Sequence, residues 1–356
     1  METPSKYCPI EVTTHNIYFH EDSPILSTDF YNDQVATCGY DNTVRFWNVN
    51  VNKMKAKESS YKTAANSSIS LEFNKEFKGF KKPINCIRFY KGEILETSGM
   101  FLLAACSDDG KVMVFSNDTA YTVRAEDGDD AYDLAWTDDG LAVGFSSGKI
   151  EIHKIHIKKN KNEDDVLENT ANYTNSNIKS LFEMSFELKI SQKIHDGVIR
   201  GISSCKNLLA THSLDKTVKM HLIDGSKLVP VSSFGCNIDT SRGFFKRILL
   251  TERLLYIFTK NNSVSIYSYP FRESHLHKKI GPLNSPVVKI VEKEELLFVC
   301  TKKSIYVLEN DKTVCCVDNC CYMAVTDGFS YSKYIFFLSS MDGFISSVRL
   351  SEPESK

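Results

Sequence analysis

Residues 35–47, VATCGYDNTVRFW, contain the pattern on which the rest of this chain is built. An apolar run ends at a polar turn made by Tyr40, Asp41 and Asn42, and a second run then alternates apolar and polar residues up to Trp47. Alternation with a period of two is typical of a half-buried β-strand, and a short polar turn joins two such strands into a hairpin. The stretch therefore predicts a strand, a tight turn and a second strand.

The same turn recurs six more times, and each turn is followed six residues later by an apolar or aromatic side chain. The turns lie at positions 41, 109, 147, 215, 261, 302 and 342. Most of the spacings are close to the length of a four-stranded propeller blade, about 40–45 residues. The two longest spacings contain polar stretches, residues 51–76 and 158–180, which we interpret as insertion loops. The repeat predicts an all-β protein, a seven-bladed β-propeller.

The whole chain, residues 1–356, is predicted to form one propeller because no linker rich in Pro, Gly or Ser divides it. A strand within residues 11–19 precedes the first repeat and has no partner of its own. We expect it to complete the last blade, since this pairing removes an exposed sheet edge. The blades are predicted near residues 20–50, 78–116, 127–157, 181–223, 241–269, 284–309 and 318–350.

Composition limits the kind of partner. The chain has 43 Lys and Arg against 45 Asp and Glu, so its overall charge does not favour nucleic acid or an anionic membrane. Its 11 cysteines are scattered, which is typical of a reducing intracellular compartment. The longest apolar runs are far shorter than the roughly 20 residues of a membrane helix. We therefore expect a soluble protein whose partners are other proteins.

Two motifs raise the question of catalysis or metal binding. Residues 144–148, GFSSG, match the nucleophile elbow of hydrolases, but that device needs a strand followed by a helix, and here a hairpin turn is predicted. Cys315, Cys316, Cys320 and Cys321 lack the spacing of a tetrahedral zinc site. We predict no catalytic residue, no metal and no cofactor.

The hairpin motifs resemble those of the WD-repeat family. The resemblance is carried by the run from Asp41 to Trp47 and by His195 with Asp215. In that family a histidine ahead of the inner strand hydrogen-bonds the turn aspartate, which implies that His20 pairs with Asp41, and His195 with Asp215, to lock their blades. The chain departs from the pattern in having Asn48 after the tryptophan, and no turn aspartate in blades three, five and six.

Within that family the chain is similar to the middle WD-repeat subunits of chromatin assembly factor 1. The similar stretches are SPILSTDF at 23–30, KPINCIRF at 82–89, DAYDLAW at 130–136, GFFKRI at 243–248 and DGFISSV at 342–348. The resemblance implies a nuclear, non-enzymatic subunit that supports deposition of histones H3–H4 on newly replicated DNA.

The resemblance also implies particular partners. They are the large subunit of that complex, a histone-binding WD-repeat small subunit and, directly or indirectly, histones H3–H4, with no sequence-specific nucleic acid and no membrane. Members of the family often carry a basic tail that binds a second histone chaperone. This sequence stops six residues after its last predicted strand and lacks that tail, so the sequence leaves open whether the chain binds the second chaperone.

Two segments are candidate partner-binding sites. Glu126, Asp127, Asp129 and Asp130 precede an inner strand, where they could meet a basic histone tail or a basic region of the large subunit, or form a solvated acidic loop. Residues 244–249 are predicted to be the inner strand of the fifth blade. Alternation would place half of FFKR, residues 244–247, on an exposed face, which makes Phe245, Lys246 and Arg247 candidates for a subunit contact.

Two alternatives to this function remain open on the sequence. One is another WD-repeat scaffold: a histone-regulator-type chaperone, a ubiquitin ligase adaptor or an RNA-processing adaptor. The other is a propeller hydrolase. It is the less favoured of the two because the sequence has no polar catalytic constellation.

Overall fold

A computed structural model describes residues 9–15, 20–53, 67–92, 101–138, 140–159, 182–235, 237–241, 245–310 and 312–351. These residues form seven antiparallel sheets of four strands each, and the sheets follow one another along the chain as the blades of a ring. The predicted all-β, seven-bladed propeller is confirmed. All seven predicted turns join the second and third strands of their blades.

The strands number 28 in the described part of the chain, and each blade runs from an inner strand at the central channel to an outer strand. Blade 1 consists of β2 (Ile25–Tyr31), β3 (Gln34–Gly39), β4 (Val44–Lys53) and β5 (Ser67–Phe77). Blade 2 consists of β6 (Ile84–Phe89), β7 (Leu103–Ser107), β8 (Val112–Ser116) and β9 (Thr119–Arg124). Blade 3 consists of β10 (Ala131–Thr137), β11 (Gly140–Phe145), β12 (Lys149–Lys159) and β13 (Phe182–Lys193).

The remaining blades repeat this order. Blade 4 consists of β14 (Ile199–Cys205), β15 (Leu208–Ser213), β16 (Val218–Asp224) and β17 (Lys227–Phe234). Blade 5 consists of β18 (Leu249–Leu250), β19 (Leu254–Thr259), β20 (Ser263–Ser268) and β21 (Leu276–Ile280), with a 3₁₀ helix (Glu273–His275) before its outer strand. Blade 6 consists of β22 (Val287–Lys293), β23 (Leu296–Thr301), β24 (Ser304–Glu309) and β25 (Lys312–Asp318). Blade 7 consists of β26 (Val325–Ser332), β27 (Ile335–Ser340), β28 (Ile345–Leu350) and β1 (Pro9–His15).

The ring closes through its first strand. β1 pairs antiparallel with β28, with Val12 opposite Val348. The His15 imidazole Nε2 lies 2.8 Å from Ser347 Oγ, and its ring stacks on Phe337 at 5.9 Å between centroids. The predicted closure by an N-terminal strand is confirmed, because β1 occupies the edge that β28 would otherwise expose.

The core lies between neighbouring blades. Phe298 of blade 6 stacks on Phe336 of blade 7 with 4.7 Å between ring centroids. Trp47 of blade 1 is 1% exposed and belongs to a cluster that includes Phe329 and Phe337 of blade 7. Each blade therefore buries its apolar faces against the next, so that no blade has a complete core alone.

The assignment of residues 51–76 and 158–180 to loops was partly wrong. Residues 51–53 lie in β4, residues 67–76 lie in β5 and residues 158–159 lie in β12, while 54–66 and 160–180 fall outside the described residues. An outer strand is paired along one edge and is largely exposed, so it needs few apolar residues. Leu71 packs with the Trp47 cluster, and the Phe73 ring contacts Trp47 edge-on at 5.6 Å between centroids.

The predicted bounds of the inner strand of blade 5, residues 244–249, were also wrong, because β18 has only two residues, Leu249 and Leu250. Ahead of it, the Lys246 N–H donates to the Arg200 carbonyl of blade 4 and the Arg247 N–H donates to the Val288 carbonyl of blade 6, each at 3.0 Å. The chain here bonds to two neighbouring blades rather than to its own hairpin. A Cβ atom at Gly201 would lie 1.8 Å from the Lys246 carbonyl oxygen, so this close approach requires glycine.

Candidate functional site

The turn of blade 1 is held by a network of five side chains, in which Arg45 pairs with Asp41. The His20 ring lies 3.0 Å from Asp41 through Nδ1 and 2.7 Å from Thr37 Oγ1 through Nε2. Trp47 Nε1–H donates to the same Thr37 oxygen at 2.8 Å. Burial lowers the pKa of His20, and the hydrogen bond and charge of Asp41 only partly offset this. A neutral imidazole with its proton on Nδ1 satisfies both contacts.

Blade 4 repeats this arrangement. His195 lies 2.8 Å from Asp215 Oδ2 through Nδ1 and 2.8 Å from Thr211 Oγ1 through Nε2. His221 takes the place of the tryptophan, and burial lowers its pKa to about 4. His20 and His195 bond within their own blades, and in the described part of the chain no three His, Cys, Asp or Glu side chains are grouped as metal ligands.

Blade 3 lacks the turn aspartate, and Asp129 from the preceding connection replaces it. Its carboxylate accepts hydrogen bonds from Ser146 Oγ at 2.8 Å and from the Ser147 N–H and Oγ at 3.0 and 2.7 Å. Burial raises the pKa of Asp129, but these hydrogen bonds outweigh it and the net shift is downward. Sequence reasoning missed this capping role because Asp129 lies 18 residues before the turn it caps.

The acidic segment, residues 126–130, connects β9 to β10 at the face of the ring where inner strands begin. Glu126 and Asp127 are exposed, whereas Asp129 and Asp130 are half-buried. The Glu126 carboxylate lies 2.8 Å from Lys81 Nζ, Asp127 pairs with Arg124, and Asp130 lies 3.8 Å from Lys82. Its charge is thus partly balanced within the chain.

The prediction that half of residues 244–247 is exposed was wrong for the part that the structure describes. Phe245, Lys246 and Arg247 are 3%, 1% and 2% exposed, and Phe244 lies outside the described residues. Lys246 Nζ pairs with the Asp239 carboxylate and donates to the Val287 carbonyl at 3.2 Å. Strand alternation did not apply because this segment turns toward the channel instead of continuing a sheet.

Arg247 reaches across the central channel. Its guanidinium donates to the carbonyls of Thr326 at 2.6 Å, Asn85 at 3.0 Å and Leu26 at 3.3 Å. These carbonyls belong to the inner strands of blades 7, 2 and 1, whereas Arg247 precedes the inner strand of blade 5. One side chain therefore joins the inner strands across the ring.

A carboxylate in the channel balances three cations. Asp327 lies 2.7 Å from Lys289 Nζ, 2.9 Å from Arg88 Nη1 and 3.5 Å from Arg247 Nε. Burial raises the pKa of Asp327, but the three positive charges outweigh it and hold the pKa far below its usual range. This buried charge network was not recognised in the sequence.

Aspartates of three inner strands also accept backbone hydrogen bonds from the next blade. The Thr28 N–H donates to Asp327 at 3.3 Å, the Phe89 N–H to Asp29 at 2.8 Å, and the Ile202 N–H to Asp133 at 2.8 Å. The sequence does contain a sign of these buried aspartates, because Asp133 and Asp327 are each the third residue of an inner strand. A carboxylate in such a position needs a buried donor.

The two ends of the channel open into cavities of different size. A cavity of about 810 Å³ at the end of the inner strands is lined by Arg88, Trp136 and Lys289 among others. A second cavity, of about 380 Å³, lies where inner strands of blades 4 to 7 begin. We call the second the entry pocket; its lining includes Arg200, Phe245, Lys246, Val288, Lys302 and Met341.

The GFSSG motif at 144–148 spans the end of β11 and the turn into β12, which pair antiparallel. The predicted hairpin is confirmed there, so the strand-to-helix geometry of a nucleophile elbow is not present at this motif. The described residues include no helix with the length and hydrophobicity of a membrane span.

Comparison with known proteins agrees with this architecture. The sequence profile described as "WD domain, G-beta repeat" matches residues 12–48 and 71–116. The fold is similar to the WD40 β-propeller domain of Doa1, with a TM-score of 0.63 and 11% identity over 98% of each chain. The computationally designed Ika8 protein gives a TM-score of 0.55 and 12% identity over 92% of this chain and 96% of its own. Residues 12–48 and 71–116 therefore match WD repeats, and the described chain as a whole has the fold of a seven-bladed β-propeller.

One sequence comparison points to a specific protein complex. Over 118 residues the chain is 30% identical to one of the subunits of chromatin assembly factor 1 of Saccharomyces cerevisiae. The matched part covers 32% of this chain and 22% of the yeast protein.

Proposed function

We propose that this chain is a scaffold subunit of a histone chaperone complex of the chromatin assembly factor 1 type, acting in the nucleus to support H3–H4 deposition on newly replicated DNA. The observation that carries the proposal is the 30% identity over 118 residues to the yeast chromatin assembly factor 1 protein. A closed ring with two faces built of short connections is suited to holding several partner chains at once.

The proposed partners are a large subunit, a histone-binding WD-repeat small subunit and histones H3–H4, reached directly or through the large subunit. The acidic segment supplies a point of contact for a basic partner, because Glu126 and Asp127 are exposed at the face where inner strands begin. Phe245, Lys246 and Arg247 are buried, so a partner would reach the first two only through the entry pocket and Arg247 only through the larger cavity.

Affinity purification of the full chain from nuclear extract, followed by mass spectrometry and crosslinking, tests the proposal. We expect a large subunit, a second WD-repeat subunit and H3–H4 in stoichiometric amounts. Recovery of ubiquitin-ligase or RNA-processing components instead would replace the proposal with another scaffold function. Hydrolytic turnover by the purified chain without partners would replace it with an enzyme.

The contribution of the acidic segment is tested by charge reversal. The double variant Glu126→Lys, Asp127→Lys is expected to weaken binding of the basic partner by about tenfold, more at low salt than at high salt. The matched control is Glu294→Lys, Glu295→Lys, an equal change of charge at an exposed turn on the opposite face. Equal effects of the two double variants would show that net charge, and not the acidic segment, is recognised.

A further inference from the structure

The entry pocket combines apolar walls with several cations. Phe245, Val287, Val288, Val325 and Met341 supply apolar surface around the cavity of about 380 Å³. Arg200, Lys246 and Lys302 line the same cavity. A pocket of this kind, mostly apolar with a few polar groups that converge, is the usual form of a binding site for a small group or a side chain.

Arg200 is the cation whose hydrogen-bonding capacity is unused. Its Nε and Nη1 atoms are buried and have no hydrogen-bond partner. The nearby Asp239 carboxylate is already held by Lys246 and by the Ser241 N–H at 2.7 Å. Buried guanidinium donors without an acceptor cost free energy, and an incoming acceptor would recover it.

The charge balance of the pocket favours an anion. Arg200 and Lys246 both line it, and Asp239, the carboxylate beside them, already pairs with Lys246. A basic peptide would be repelled here, whereas a carboxylate could accept a charge-assisted hydrogen bond from Arg200.

Exposed apolar side chains continue from the edge of the pocket. Tyr322 and Met323 are 82% and 56% exposed, and they directly precede Ala324, which lines the cavity. The Tyr322 ring contacts Phe344 edge-on at 6.5 Å between centroids, so the ring is supported from one side. Large exposed apolar residues next to a pocket are typical of a surface that a partner covers.

We propose that the entry pocket binds an acidic-hydrophobic peptide segment of a partner protein. A Glu or Asp side chain of the segment enters the pocket and accepts a charge-assisted hydrogen bond from one of the two unpaired donors of Arg200, Nε or Nη1, and a neighbouring apolar residue rests on Tyr322 and Met323. This goes beyond the proposed function, because it assigns a ligand chemistry to one site and does not depend on the complex to which the chain belongs.

Selection from a random-peptide display library on the purified, immobilised full chain tests the proposal. The selected peptides are expected to carry Asp or Glu beside Leu, Ile or Phe. For the tightest of them, Arg200→Met should raise Kd about tenfold or more, and so should the change of its acidic residue to the amide. Lys303→Met, which removes one exposed charge from the same face outside the pocket, should leave Kd unchanged.

Three outcomes would overturn the proposal: selection of basic peptides, selection of none, or a Kd that Arg200→Met does not change. The Arg200 side chain makes no hydrogen bond through its buried Nε and Nη1, so Arg200→Met should melt at the wild-type temperature or above it. A lower melting temperature would contradict the assignment of Arg200 as an unsatisfied donor. No subunit of any complex is present in the selection, so its result and that of the copurification are independent.

Discussion

Thr37 shows how a single hydroxyl can hold a blade together. Its oxygen contacts the His20 ring at 2.7 Å and accepts the Trp47 N–H at 2.8 Å, and all three side chains are buried. The turn aspartate and the tryptophan are visible in the sequence. The threonine between them is not, because it lies on the preceding strand and gains its role only when the strands pair.

Thr37→Val is expected to lower the free energy of unfolding by about 1–3 kcal/mol. The substitution keeps the shape of the side chain but leaves the ring nitrogen of His20 and the indole N–H of Trp47 without a buried partner. Urea denaturation measures the change. Thr37→Ser is the control, since it retains the hydroxyl, and an equal loss in both variants would argue against the hydrogen-bond network.

His212 is a second residue whose environment decides its chemistry. It is fully buried in β15, and neither ring nitrogen has a hydrogen-bond partner. Burial, assisted by the charge of Lys246, lowers its pKa to about 3. The imidazole therefore stays neutral in the folded chain where the unfolded chain would already be protonated, and stability is lost as the pH falls from 6.5 toward 3.

His212→Leu is expected to remove this loss. Relative to its own stability at pH 7.5, the variant should retain about 2 kcal/mol more than the wild type at pH 5. Comparison of each protein with itself across pH cancels any change in packing. His156→Leu, at a side chain that is 39% exposed, is the control. Parallel pH profiles of wild type and His212→Leu would contradict the prediction.

At the scale of the element, β1 is the strand that depends most on the rest of the ring. It is separated from β28 by almost the entire chain, yet it pairs with β28 over residues 9–15. Without it, β28 would present a row of unpaired backbone groups to solvent. The sequence predicted this pairing because a single strand before the first repeat can pair only with the open edge of the last blade in a closed propeller.

Removal of residues 1–15 is expected to lower the melting temperature by about 5 °C or more and to promote self-association through the open edge. Thermal unfolding and size-exclusion chromatography measure the two effects. A synthetic peptide of residues 9–15 should restore part of the lost stability in trans, while a scrambled peptide should not. Unchanged melting after the truncation would mean that closure by β1 contributes little.

At the scale of the whole molecule, two arginines near the channel have opposite roles. Arg247 donates to carbonyls of three inner strands and lies beside Asp327. Arg200 has two buried donors and no acceptor for them. Each arginine keeps a buried Nε without a hydrogen-bond partner, but Arg247 is bonded to the inner strands through its other donors, whereas Arg200 lines a pocket that a partner can enter.

Arg247→Met is expected to lower the free energy of unfolding by about 3–5 kcal/mol, because it leaves three buried carbonyls without their donor and removes one of the three cations that balance Asp327. Arg253→Met, at an exposed arginine of the same blade, should change stability little. Equilibrium denaturation of the two variants provides the comparison. A loss that is the same in both would show that Arg247 is not a central contact of the ring.

The amino-acid sequence by itself determined the repeat, the seven turns, the hairpin at residues 144–148 and the closing role of the first strand. These features depend on alternation and spacing within a few tens of residues, which a linear pattern can record. The tertiary structure alone decided the burial of residues 245–247, the capping by Asp129, the charge network around Asp327 and the unused donors of Arg200. The burial, the charge network and the unused donors depend on residues from several blades that meet at the channel, where distances across the ring are unrelated to separations along the chain. The capping by Asp129 lies within blade 3, but a residue of the preceding connection takes the place of the usual turn aspartate, and the repeat pattern does not record that exchange.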